Sequence, residues 1–280
     1  MKRATLATSL LAASLTLAMT GVAAPPKAGP SSADAPRVPT VSSLMEKEIH
    51  WGLTHEELTD LYNLAGGLFD REYAQQLAHL SPGVAQQQME SDRDSRKANF
   101  ERSYTRFTDT PTGYDVTPLH VEYTYKNDEA VQRLLKDGKT RYFFYIKDHL
   151  WKVYDEIPLK ADGPLGATFQ DAVAKLNTRF GVPARVRPAN AAGGVERTTA
   201  DWQDQTTHLR AIDRSGEHVV ALVFEDKSTL NGLAMLRANK PADPFAIDPA
   251  IAAVTKHGII DPNAAKGVDG GPGSGKKKGP

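Results

Sequence analysis

Four side chains stand out as candidate ligand- or partner-binding residues: Trp151, Trp202, His208 and Arg210. Trp202 opens a local cluster with Asp204, Thr206, Thr207, His208 and Arg210. His208 and Arg210 lie two apart, so on a strand they share one face. With the Trp202 indole they offer a cation, a switchable imidazole and a flat apolar plane, which suits an acidic or aromatic ligand. The same residues also read as a plain hairpin. Asp204 would cap the turn through backbone amides, and Trp202 would anchor the strand pair in the core. Trp151, beside the run Tyr142, Phe143, Phe144 and Tyr145, has the same two readings, binding groove or buried core.

Acid–base chemistry would need two carboxylates in one cleft. Glu122, Asp155, Asp201 and Asp204 are the ones on or beside expected strands, and a pair about 5–9 Å apart would suit a glycosidase-like hydrolase. Other motifs fail on their own chemistry. Gly270, Gly275 and Lys276 have the spacing of a phosphate-binding loop, but Lys277 replaces the magnesium-binding hydroxyl and neither strand nor helix flanks them. Asp261 and Asn263 open like a calcium loop, yet Lys266 stands in the glycine position and Pro272 in that of the final glutamate. His55 with Glu56 and Glu57 lacks the second histidine of a helical zinc motif, and His120 with Glu122 has no third ligand. No serine sits in a nucleophile elbow. The residues therefore assign no catalytic, cofactor-binding or metal-binding position.

The elements that must position these groups fall into two blocks. Thr54 and Glu57 form a capping box that starts a helix, and Gly66 and Gly67 end it. Phe69, Tyr73 and Leu77 mark a second helix, and residues 84–104 a long polar third. Strands are expected at residues 119–125, 130–135, 141–146 and 150–157. Asp137 and Gly138 make one hairpin turn, Asp148 and His149 another. Thr168 caps a helix that Gly181 and Pro183 end. Strands at residues 199–202, 207–213 and 218–224 follow, then a short helix at 230–236. Strands in hairpins with grouped helices predict an α+β fold: N-terminal helices, an antiparallel meander, one crossover helix and a three-strand meander. Phe143 and Tyr145 face opposite to Tyr142, Phe144 and Ile146, so that strand should be covered on both sides. The two strand groups have the look of a decayed duplication.

Flanking segments supply the address. Lys2 and Arg3 precede a short, mostly apolar run closing on Gly21, Ala23 and Ala24, the pattern of a signal peptide over residues 1–24, cut after Ala23. Residues 25–41, rich in Pro, Ala and Ser, read as a disordered linker; 42–240 as a single α+β domain; and 241–280 as a mostly disordered tail ending in Lys276, Lys277 and Lys278. The expected location is the periplasm or the medium, without stable membrane insertion. Lys plus Arg and Asp plus Glu number 34 each, and loss of Lys2 and Arg3 leaves the mature chain slightly acidic, so nucleic acid is not an expected partner. Without cysteine, an exported chain must rely on a packed core rather than disulfides.

Trp51, Gly52, Leu53, Thr54 and Glu57, the aromatic strand pair from Tyr142 to Tyr154, the stop at Phe180, Gly181 and Pro183, and the hairpin from Trp202 to Thr206 form a recognisable set. In these the chain resembles an uncharacterised group of exported bacterial proteins, notably myxobacterial ones, over residues 44–237. The resemblance implies one intact domain and carries no activity or catalytic residue. The expected function is a cofactor-free, non-enzymatic binding or envelope-associated interaction protein whose partner is an unknown protein or envelope component. The alternatives are an extracytoplasmic hydrolase using carboxylates as acid and base, and an inhibitor of a secreted enzyme.

Overall fold

The computed structural model describes residues 35–136, 138–193 and 195–239. The expected signal peptide, the first part of the linker and the tail with its glycine–lysine motif lie outside the described residues. The chain has the expected α+β class.

Helix α1 (His55–Asn63) starts at the expected box: the Glu57 amide donates to Thr54 Oγ1 while the Thr54 amide donates to Glu57 Oε2. The chain then turns at Gly67, where any Cβ would come within 2.8 Å of three backbone carbonyl oxygens. Helix α2 (Leu68–Ala78) buries Phe69 and Tyr73. Helix α3 (Val84–Arg102) fully buries only Phe100. Its remaining attachment to α2 is polar: Lys97 Nζ lies 2.6 Å from Asp70 and Arg96 2.9 Å from Glu72, with the Arg96 guanidinium over the Phe69 ring.

Eight strands follow: β1 (Thr105–Arg106), β2 (Glu129–Lys136), β3 (Lys139–Ile146), β4 (His149–Pro158), β5 (Arg185–Arg187), β6 (Thr199–Gln203), β7 (Thr207–Arg214) and β8 (Val219–Asp226). They form one antiparallel sheet in the order β1-β2-β3-β4-β8-β7-β6-β5. Helix α4 (Phe169–Phe180) links the two halves, with a Thr168–Asp171 capping box at its start and left-handed Gly181 at its end. Helix α5 (Lys227–Leu236) follows β8. The strand order is symmetric about the β4–β8 seam, as a duplicated four-strand unit would be.

Both faces of the sheet are covered. On the helical face, Phe143, Tyr145, Val153, Trp202, Leu209 and Phe224 pack beneath α1, α2 and α4. On the other face Tyr142, Phe144, Tyr154 and Val223 meet Phe107, Leu119 and Tyr123 from the long β1–β2 connection. The opposed facing expected for β3 is observed.

Three expectations are corrected. Residues 119–125 are not a strand: Pro118–Val121 forms a 3-10 turn capped by Thr117. The alternating pattern there arises because Leu119 and Tyr123 dip into the core while Tyr123 and Tyr125 both bind Asp115. The β3–β4 turn uses Lys147 and Asp148 at positive φ (50° and 62°), and His149 already begins β4. The linker ends sooner than residue 41. Residues 35–41 are a strap along the end of β6, with Val38 and Val41 buried and Arg37 in a parallel bridge to Gln203. Main-chain pairing and two well-placed valines suffice to hold a segment poor in large apolar side chains. Among the described residues no helix is long and apolar enough to cross a membrane.

Candidate functional site

Strand pairing builds a row of charges across the face opposite the helices. Lys152 on β4 lies across from Glu225 on β8, which lies across from His208 on β7, which lies across from Gln203 on β6. Two residues along, Arg210 sits between Val223 and Asp201, and Asp201 lies across from Arg185 on β5. These share a face because the strand period is two. At Lys152 the β3–β4 register shifts by one, leaving Trp151 as the extra residue of a bulge. That bulge brings the Trp151 ring to 4.5 Å from Lys152 Nζ.

Glu122 descends onto the row from the 3-10 turn and closes it. Its Oε2 accepts from Lys152 Nζ at 2.9 Å and from an Arg210 terminal nitrogen at 3.0 Å. The same Arg210 nitrogen reaches Glu225 Oε1 at 3.3 Å. Glu225 Oε2 is 2.9 Å from His208 Nδ1. Asp201 Oδ2 accepts from Arg185 at 2.9 Å and Arg187 at 2.8 Å, so the row ends at the β5 edge. Lys152, Glu122, Glu225, Asp201 and His208 are all buried.

In so dry a setting the charges set each other's states. Burial by itself raises the Glu225 carboxyl, but Arg210, the His208 hydrogen bond and Lys152 overrule it and bring it to about 2. Burial likewise opposes ionisation of Glu122, and Arg210 and Lys152 outweigh it to hold that carboxyl below its usual range. Lys152 moves the other way: burial lowers its ammonium more than Glu122 restores it. Arg210, despite burial, is held above its ordinary value by Glu122 and Glu225. An ionised Glu225 only accepts, so His208 Nδ1 carries a proton toward it. His208 Nε2 and Asp201 Oδ1, 4.0 Å apart, find no hydrogen-bond partner among the described residues.

The four residues expected to bind do not assemble into one open site. His208 and Arg210 share a face as expected, but both belong to the internal row. Trp151 is buried on that face between Lys152 and Arg237, whose guanidinium lies 5.5 Å from its ring. Trp202 points to the opposite face because it pairs with Leu209. There it packs on Phe180 with its Nε1 donating to Val182 O at 3.2 Å. Of the four carboxylates, Glu122 and Asp201 both lie in the row, on either side of Arg210, and the other two lie elsewhere. Asp155 pairs with Arg141 at 2.6 Å on the helical face, and Asp204 holds the β6–β7 turn. Sequence reasoning missed Lys152 and Glu225. Their signal was a charge inside the apolar run from Leu150 to Tyr154 and one directly after the apolar run from Val219 to Phe224, each of which needs a partner when both faces are buried.

A second acid–base pair sits at the start of α1. His55 Nδ1 lies 2.6 Å from Asp148 Oδ1, and its ring stacks on Tyr104 with centroids 4.1 Å apart. Asp148 also receives the His55 amide at 3.4 Å, so the pair pins the helix to the β3–β4 turn. Among the described residues no group of three or more His, Cys, Asp or Glu is placed to hold a metal.

Fold and site together define an α+β protein with a helix-covered antiparallel sheet and a buried ionic row. No family model, curated protein or solved structure matches the chain.

Proposed function

We propose that the protein is an exported, non-enzymatic binding module that works as an envelope-associated interaction protein. The observation that carries this reading is the internal commitment of the charged row. Glu122 and Glu225 are joined to Lys152, Arg210 and His208, and Glu225, at about 2, is an acceptor rather than a proton donor near neutral pH. A row tied up this way stiffens a sheet and leaves recognition to the outer surface. The basic start and the small residues at Gly21 and Ala23 support export.

Two measurements test it. N-terminal sequencing of the protein from envelope and culture fractions should find a chain beginning at Ala24; an intact Met1 in the cytoplasmic fraction would remove the export reading. Tagged mature protein, incubated with those fractions at low salt, should then retain a reproducible partner with a measurable Kd. Turnover of a glycoside or ester panel that is lost in a folded Glu122→Gln variant would replace binding with hydrolysis.

A further inference from the structure

We propose that the end of β6 is an acceptor for a short peptide segment, filled in this chain by its own residues 35–41 and open to a partner protein's segment when that strap lifts. The proposal rests on the binding reading above and gives it a place and a ligand chemistry.

The acceptor is built before the strap arrives. Asp204 Oδ1 is held by the turn it caps, through the amides of Thr206 at 2.9 Å and Thr207 at 2.7 Å. That leaves Oδ2 aimed at the strap, where it takes the Val41 amide at 2.7 Å and the Ser42 amide at 3.2 Å. Gln203 supplies the main-chain half: its amide donates to Pro36 O at 2.9 Å and its carbonyl accepts from the Val38 amide at 2.8 Å. Val38 and Val41, three apart, fill the apolar sockets. Beside the strap lies a cavity of about 440 Å³ lined by Arg37, Val38, Pro39, Asp204, Gln205 and Lys227. The strap thus covers the site without filling it.

The pairing is unlike the rest of the sheet. Every named strand pairs antiparallel, whereas Arg37 meets Gln203 in a lone parallel bridge at the start of the folded unit. Terminal segments held by few main-chain bonds open far more easily than central strands. A competing peptide needs only what the strap shows: a backbone that pairs with Gln203 and bends at its fourth position, where Val41 has φ −85° and ψ −36°, aliphatic residues at its first and fourth positions, and a free amide for Asp204. This is strand addition with a side-chain lock.

The test uses the full chain carrying Val38→Asp and Val41→Asp, which weakens the strap in place, and a labelled peptide of residues 34–44 as probe. The variant should bind the peptide saturably and about tenfold or more tighter than the wild type, whose own strap competes at high effective concentration. Adding Asp204→Ala should abolish binding. A cooperatively folded variant that ignores the peptide, or binds a scrambled one equally, overturns the proposal. So does a concentration-dependent wild-type dimer that the peptide dissociates, since that places a second copy in the site. Should the variant not fold, hydrogen exchange on the wild type decides: Val38 and Val41 amides must exchange through an opening much shallower than that of Phe224. Exchange only with global unfolding overturns the idea. Partner capture by the fractions is read separately, so failure here leaves the binding reading standing.

Discussion

The two faces of the sheet solve the same burial problem with opposite chemistry. Beneath the helices, Phe143, Leu209 and Phe224 bury apolar area and need no specific partners, while Tyr145 and Trp202 add one hydrogen bond each, to Gln132 and to Val182 O. On the other face, Lys152, Glu122, Glu225, His208 and Asp201 are equally buried and Arg210 is partly so, but the six are stable only as a set. The first face tolerates a lost atom roughly in proportion to its size. The second fails when one member is removed, because the charge it leaves behind is still dry. The contrast teaches that equal burial does not mean equal robustness.

The sharpest way to break the comparison is Glu122→Ala. It strips Lys152 and Arg210 of a shared carboxylate, and denaturant unfolding should show a loss of about 3–5 kcal/mol. The double variant Glu122→Leu with Lys152→Met removes both charges and should recover much of that loss. Leu209→Ala on the helical face should cost about 2–4 kcal/mol with no partner substitution that repairs it. If Glu122→Ala costs no more than a surface change, the row is not dry and the contrast collapses.

Acid separates the faces next. The folded Glu225 carboxyl, at about 2, lies below its ordinary 4.5. Its contribution is therefore whole above pH about 4.5 and is lost as pH falls toward about 2, for a total of about 3 kcal/mol. The stability difference between wild type and Glu225→Gln should shrink over that window. The difference between wild type and Leu209→Ala, an uncharged change, should stay flat. A Glu225 difference that holds steady down to pH 2.5 would show that the carboxylate gains nothing from its neighbours.

The helical face was largely legible in the sequence, and the ionic face was not, for a physical reason. Capping boxes at Thr54 and Thr168, the stop at Gly181 and the alternating facing of Phe143 and Phe144 are local signals, set by residues three or four apart. The row joins Glu122, Lys152 and Glu225, which come together only once β8 pairs with β4 across the seam. Trp202 shows the limit of local reasoning: its nearness in sequence to His208 suggested one site, but a hairpin register decides facing, and the register sends it to the other side. The strap hid for a related reason, since Val38 and Val41 are too few to mark a folded segment until Gln203 and Asp204 are placed beside them.

The smallest expected effects test whether either face depends on the periphery. Thr168→Ala removes the acceptor for the Asp171 amide and should lower stability by about 1 kcal/mol, felt on the helical face because α4 buries Phe169, Ala172, Leu176 and Phe180 there. Arg71→Ala breaks an exposed pair with Glu48 at 2.7 Å and should leave stability almost unchanged, the more so at high salt. The two bear on the comparison differently. The cap acts through an apolar contact layer and should add to Leu209→Ala nearly independently, whereas Glu122→Ala and Arg210→Ala share a charge and should not add. Additive losses within the ionic row would mean that its members act singly, and the face would then be an ordinary polar surface that happens to be covered.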